Sequence, residues 1–169
     1  MKIADVHAHV FPEKLAVKAA GSIGEFYGTE MYCAASMEKL LEEEKKAGVG
    51  RVVISSSAVV PKQVHSILTF MAEARKGHPE CIAFGSIYPG MDGFEEVLDQ
   101  VQALGLRGLK IHPDFQKLPI DDPSGIETYR AIARRGLPVL MHMGDNRYDF
   151  SSPERLTNLL RQVPDLIVI

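Results

Sequence analysis

The sequence has no surplus of basic charge, few cysteines, no long apolar run and no glycine-rich turn after its first apolar segment. Each shortage removes a class of function. Nineteen Lys and Arg stand against 22 Asp and Glu, a formal net charge of −3, so there is no basic footprint for nucleic-acid phosphates. No apolar run approaches the roughly 18 residues that a membrane-spanning helix needs. One Lys followed by an Asp and two His does not read as a secretory signal. The two cysteines, Cys33 and Cys81, form no C-x-x-C pair and are expected to be buried or half-buried thiols in a reducing compartment. Together these features predict a cytoplasmic protein. No linker, low-complexity tract or charge block divides the chain, and 169 residues suit one core better than two. The reading is a single domain over 1–169, with the EEEKK run at 42–46 as a solvated helix face.

What the sequence does have is concentrated at its start. In DVHAHVFP the residues Asp5, His7 and His9 stand at alternate positions of an apolar segment. In a strand such residues share a face, here with Ile3 below them and Val6, Ala8 and Val10 on the other side. Three polar groups on one face require water or a shared partner, and a metal ion is one such partner.

Short apolar runs recur at 2–10, 51–57, 81–89, 106–113, 137–144 and 165–169, after the first gap about every 30 residues, the length of a βα unit. They are apolar on nearly both faces, as parallel strands covered by helices are. Between them, apolar residues at three-to-four spacing predict helices around Val64–Met71, Phe94–Val101 and Leu156–Val163. Asp92 with Glu95 suggests a capping box. Asp122-Pro123 and Ser152-Pro153 suggest an N-cap before a first-turn proline, and Gly105 and Gly136 suggest helix ends. The stretch 12–35 predicts a short helix and a loop. Alternating βα units mean an open doubly wound sheet or a (β/α)8 barrel. A nucleotide-binding open sheet normally has a glycine-rich first turn, which HAHVFPEK lacks, so the barrel is favoured.

The sites of a barrel lie at the C-terminal ends of its strands, and polar residues gather there. His7 and His9 end the first strand, Lys110 and His112 stand two apart on the fourth, and His142 ends the fifth, before MGDNR. His65 and His78 lie in helical segments and read as surface residues. A lone strand His is more often a hydrogen-bonded core residue than a ligand. An H-x-H pair with a third His from another strand end is a stronger pointer to a cation. Lys110 is either a snorkelling residue or a functional one in the mouth, and His112 before Pro113 is either a strand terminator or a site residue.

DVHAHVFP, GLKIHPDFQ, LPVLMHMGD and SSPERLTNLLRQVPDLIVI, in this order, resemble the amidohydrolase superfamily, and within it the amidohydrolase-2 branch that includes aminocarboxymuconate-semialdehyde decarboxylase. The resemblance implies a barrel in which His7, His9 and His142 bind a divalent metal, with zinc expected. It implies metal-dependent hydrolysis or non-oxidative decarboxylation of a small organic substrate. Asp5 is then expected to fix an imidazole tautomer behind the metal, and Lys110, His112, Asp145 and Arg147 to meet a substrate carboxylate. The family completes its site with a His from strand six and an Asp from strand eight, and the sequence ends at DLIVI before either. The expectation is therefore an incomplete (β/α)8 barrel of about six parallel strands, a truncated chain that shields an exposed edge with another copy of itself. The alternatives are a catalytically incomplete fragment and a phosphoesterase with an H-x-H metal site.

Overall fold

A computed structural model describes residues 3–169; Lys2, the first residue of the predicted first strand, lies outside them. The strands are β1 (Ile3–His9), β2 (Val49–Ser55), β3 (Cys81–Ala83), β4 (Gly85–Ser86), β5 (Leu109–Ile111) and β6 (Val139–Met141). The helices are α1 (Glu13–Tyr27), α2 (Met37–Ala47), α3 (Val64–Ala74), α4 (Phe94–Ala103), α5 (Pro113–Gln116), α6 (Ile126–Arg134) and α7 (Pro153–Gln162). All pairings are parallel, β1 with β2, β2 with β3, β4 with β5 and β5 with β6.

The predicted third strand is divided at Phe84. Its amide donates to the Ile54 carbonyl on one side, while Arg107 N–H donates to Ala83 O and Gly85 N–H to Gly108 O on the other. The run 81–86 thus pairs first with β2 and then with β5. The predicted sixth strand is a single parallel bridge, Val168 to Val139, with Val139 N–H donating to Ile167 O and Ile169 N–H to Val139 O, both 2.9 Å. Every strand lies beside its predecessor in sequence. A doubly wound sheet reverses its strand order; this one does not, so the chain forms an open part of a (β/α)8 barrel with six successive parallel positions.

The core forms where both faces of the strands are covered. Ile54, Leu68, Met71, Ile87, Leu98, Leu109, Ile132, Val139 and Leu159 are fully buried, which explains why the runs do not alternate. Helix ends follow the glycines: Gly105 and Gly136 have φ of 66° and 62°, a left-handed conformation that costs other residues a Cβ clash. Asp122 caps as expected, its carboxylate accepting the Ser124 amide at 2.9 Å.

Several expectations need correction. The start of α4 is capped by Gly93, not by an Asp92–Glu95 box. The region 12–35 holds a helix of 15 residues, longer than predicted. Cys33 is exposed, and only Cys81 is buried. The strict alternation of β1 also fails. Asp5 pairs with Val52 but Ala8 with Ile54, so β1 carries one extra residue, a β-bulge. Among the described residues no helix is long and apolar enough to cross a membrane.

Close packing of the sheet makes one glycine indispensable. A Cβ on Gly108 would lie 2.6 Å from two Phe84 ring carbons and 2.7 Å from the Pro138 carbonyl oxygen. We expect Gly108→Ala to destabilise the fold by about 1–3 kcal/mol, the usual range for overpacking. A lowered urea midpoint at unchanged slope would show this; an unchanged midpoint would contradict the packing.

Candidate metal centre

Successive parallel strands place all their C-terminal ends on one rim, and α1 folds back across it. The result is a cavity of about 930 Å3 whose floor includes His7, His9, His112, Asp114 and His142, and whose walls carry Phe11, Phe26, Tyr27, Phe70 and Phe115. The bulge in β1 shapes the first part of the floor. It takes the His7 amide out of the regular ladder, and the Asp5 carboxylate accepts that N–H at 2.8 Å. Asp5 thus holds the bulge rather than an imidazole, with Glu44 as its neighbouring carboxyl. Beyond the bulge, His7 Nε2 and His9 Nε2 lie 3.2 Å apart.

Lys110 is fully buried, and its Nζ lies 3.1 Å from His7 Nε2. Burial lowers its pKa to about 8, since a charged ammonium in a desolvated site is costly. It faces the imidazole cluster.

The second part of the floor comes from the ends of β5 and β6. His112 is fully sandwiched, stacked on Phe115 at 3.7 Å and on His142 at 3.8 Å between ring centroids. The Phe115 amide donates to His112 Nδ1 at 3.3 Å, so the proton of the neutral ring sits on Nε2. That Nε2 lies 3.1 Å from the Tyr27 hydroxyl and donates to it. The hydroxyl hydrogen is left for His142 Nε2, 3.4 Å away. The chain of bonds therefore runs from His112 through Tyr27 to His142, whose Nε2 lone pair accepts the Tyr27 hydrogen in the ion-free chain.

Asp114, absent from the sequence expectations, completes this group. Its side chain is fully buried, with Oδ2 3.8 Å from His142 Nε2. Neither of its oxygens has a hydrogen-bond partner among the described residues. Burial raises its carboxyl pKa, offset in part by the Ser151 hydroxyl nearby. A buried carboxylate with so few donors around it suits a neighbouring cation. The ligand atoms of His112, Asp114 and His142 lie within 4.8 Å of one another. His7 and His9 form the other close pair on the same floor, and His142 is not drawn into contact with them.

These residues fit a divalent ion. Two imidazole nitrogens each about 2.0–2.1 Å from one zinc ion stand about 3.0–3.4 Å apart for angles between square and tetrahedral, and the His7–His9 spacing lies in that range. His112 fits poorly as a ligand. Coordination at its Nε2 would move the proton to Nδ1, where it would face the Phe115 N–H donor to donor. The imidazoles are also in the state a metal requires. Burial, followed by the charge of Lys110, brings His9 to about 3. Burial, followed by the His142 charge, brings His112 to about 2, and burial with Lys110 brings His142 to about 4.

Asp145 and Arg147 lie elsewhere than expected. Arg147 Nε donates to Asp145 Oδ1 at 2.9 Å and Nη2 to Oδ2 at 2.6 Å, and this bond holds the Asp145 carboxyl down at about 2. The same guanidinium donates to the Phe26 carbonyl and lies 4.5 Å from the Phe26 ring centroid and 5.1 Å from that of Tyr27. The pair clamps the end of α1 over the site; three of the five guanidinium N–H donors go to Asp145 and Phe26, so the Arg147 charge is balanced by Asp145 rather than held out for a substrate carboxylate.

The comparisons with known proteins agree with this fold. The family model described as amidohydrolase matches residues 4–169. No curated protein matches the chain. Among solved structures, an uncharacterised TIM-barrel protein from Bordetella bronchiseptica is 20% identical with a TM-score of 0.69, over 99% of this chain and 66% of that one. An IDCase from Metarhizium anisopliae is 16% identical with a TM-score of 0.70, over 99% and 64%. A 5-carboxyvanillate decarboxylase from Novosphingobium aromaticivorans, solved with bound manganese, is 12% identical with a TM-score of 0.75, over 99% and 64%. The chain thus spans about two thirds of the length of these structures, and the likeness fixes the fold.

The depressed imidazoles link the site to stability. Between the ordinary value near 6.5 and about 3 the unfolded chain binds a proton at His9 that the folded chain refuses, so stability rises with pH across that window and is lost on acidification. We expect the urea midpoint to fall from pH 6.5 to pH 4, and to fall less steeply in His9→Gln. A pH-independent midpoint would contradict the buried, neutral state of these rings.

Proposed function

Because the chain belongs to the amidohydrolase family, we propose that it supplies the ion-binding floor of a metal-dependent enzyme that acts on a small planar organic acid, with non-oxidative decarboxylation as the reaction. The observation that carries this reading is the donor set on one cavity floor: the His7–His9 pair at 3.2 Å, the His142 Nε2 lone pair, and the unpartnered Asp114 carboxylate. His7, His9 and His142 would hold the ion, with His142 moving towards the His7–His9 pair on binding; zinc and manganese are the candidates, and Asp114 would balance the charge. A divalent ion there supplies Lewis-acid chemistry, polarising a substrate oxygen or lowering the pKa of water.

The chain's own residues bind and orient the acid. Phe11, Phe26, Phe70 and Phe115 offer flat apolar walls, which suit an aromatic ring. Lys18 and Lys117 line the same cavity, and neither has a carboxylate partner within 4 Å among the described residues, so the rim favours an anion. Helix α1, clamped by Arg147, covers part of the cavity and holds its aromatic end against the floor. Hydrolysis is the second reading, favoured by the family description itself.

Two measurements test the proposal. Zinc binding by isothermal titration calorimetry should be lost in the His7→Ala/His9→Ala double variant and retained in His65→Ala, whose ring bonds Gln100 on the surface. Equal binding in all three would place the ion elsewhere. The metal-loaded chain, supplied with hydroxybenzoates, should release carbon dioxide. Turnover of lactones or amides without carbon dioxide release would favour hydrolysis instead.

A further inference from the structure

Among the described residues that line the cavity, Tyr27 lies within hydrogen-bond distance of His112 and His142 at two strand ends, and the expected site does not include it. It stands at the last position of α1. Two bonds close the helix just beyond it, Gly28 N–H to Glu25 O and Thr29 N–H to Gly24 O. Gly24 is small of necessity, since a Cβ there would lie 2.5 Å from the Thr29 carbonyl oxygen. Phe26 packs edge-on against Phe115 at 4.7 Å, and the Arg147 guanidinium lies against both Phe26 and Tyr27. The phenol is thus held over the floor from its own helix, from α5 and from the loop after β6.

The direction of its hydrogen bonds has a consequence. His112 Nε2–H donates to the Tyr27 oxygen, because its Nδ1 is occupied by the Phe115 amide. The Tyr27 hydrogen can then serve only an acceptor, and in the ion-free chain that acceptor is His142 Nε2 at 3.4 Å. An ion held by His142 takes this lone pair and leaves the Tyr27 hydroxyl without its acceptor. The oxygen remains anchored by His112, so the released O–H is aimed at whatever occupies the cavity beside His142. Resting on the metal reading above, we propose that Tyr27 is a substrate-contacting residue, donating its hydrogen bond to a carboxylate oxygen of the bound acid, with His112 as the positioning residue that sets its direction.

Cobalt(II) and acetate serve as probes. Cobalt binding is followed by visible absorption, and acetate is then titrated into the loaded protein. Tyr27→Phe should bind cobalt at least as tightly as wild type, because the His142 lone pair no longer has a competing donor. The same variant should bind acetate about tenfold more weakly, and His112→Phe, which keeps the aromatic stack, should weaken acetate binding in the same direction. In the metal-free protein, nitrogen-15 NMR of the imidazoles should find His112 protonated on Nε2 and His142 on Nδ1. Normal cobalt binding with unchanged acetate affinity in Tyr27→Phe would overturn this proposal alone, as would the opposite tautomers. Failure of wild type to bind cobalt would overturn the metal reading and this proposal with it.

Discussion

The constraint on which the site depends is that three strand ends place imidazole rings in a partly desolvated cavity that favours their neutral forms. Taking an imidazole out of water disfavours its charged form. Here the effect is reinforced by Lys110, whose ammonium sits 3.1 Å from His7 Nε2 and further opposes protonation of the rings around it. A cluster of neutral imidazoles presents lone pairs in a space with few donors. Lys110 and Tyr27 supply donors in the ion-free chain; a divalent ion would satisfy the same lone pairs more completely. The orphaned Asp114 carboxylate gives the same floor the negative charge that a dication needs.

Two irregularities make this arrangement possible. The bulge in β1 gives up part of the ladder with β2, and Asp5 offsets the loss by accepting the His7 amide. Bulges next to functional sites re-aim side chains, and this one brings His7 and His9 to a common point. Helix α1 is the second. Its aromatic end would be a loose flap were it not tied by the Asp145–Arg147 pair, which spends its charges on the Phe26 carbonyl and on each other. The clamp links the loop after β6 to the segment after β1, so the rim is closed by contacts between parts of the chain more than a hundred residues apart.

Much of this was legible in the sequence. The recurrence of apolar runs and the missing glycine-rich turn indicated a barrel, and the strand order bears this out. His7, His9, His112 and His142 were visible as strand-end histidines because spacing reports which end of a parallel sheet a residue occupies. Spacing does not report register shifts, so the alternation argument assigned Asp5 to an imidazole when the bulge gives it to an amide. Nor does it report which polar groups satisfy each other. In MGDNR the Asp145 partner of Arg147 stands two residues away, but the Phe26 carbonyl and the aromatic end of α1 meet it only in three dimensions. Tyr27 carried no local signal at all, and Asp114 only its place two residues after His112. The proposed division between ligand and positioning histidine has no sequence signal either, since it rests on one backbone amide, that of Phe115.

The central claim is that an ion is held by His7, His9 and His142, with His112 turned away by its own tautomer. Anomalous diffraction at the zinc edge from zinc-soaked crystals of the chain tests it most directly. The account predicts one peak within bonding distance of Nε2 of His7, His9 and His142, with His112 Nε2 still bonded to the Tyr27 hydroxyl. A peak on His112 Nε2, or no peak on the cavity floor at saturating zinc, would contradict it.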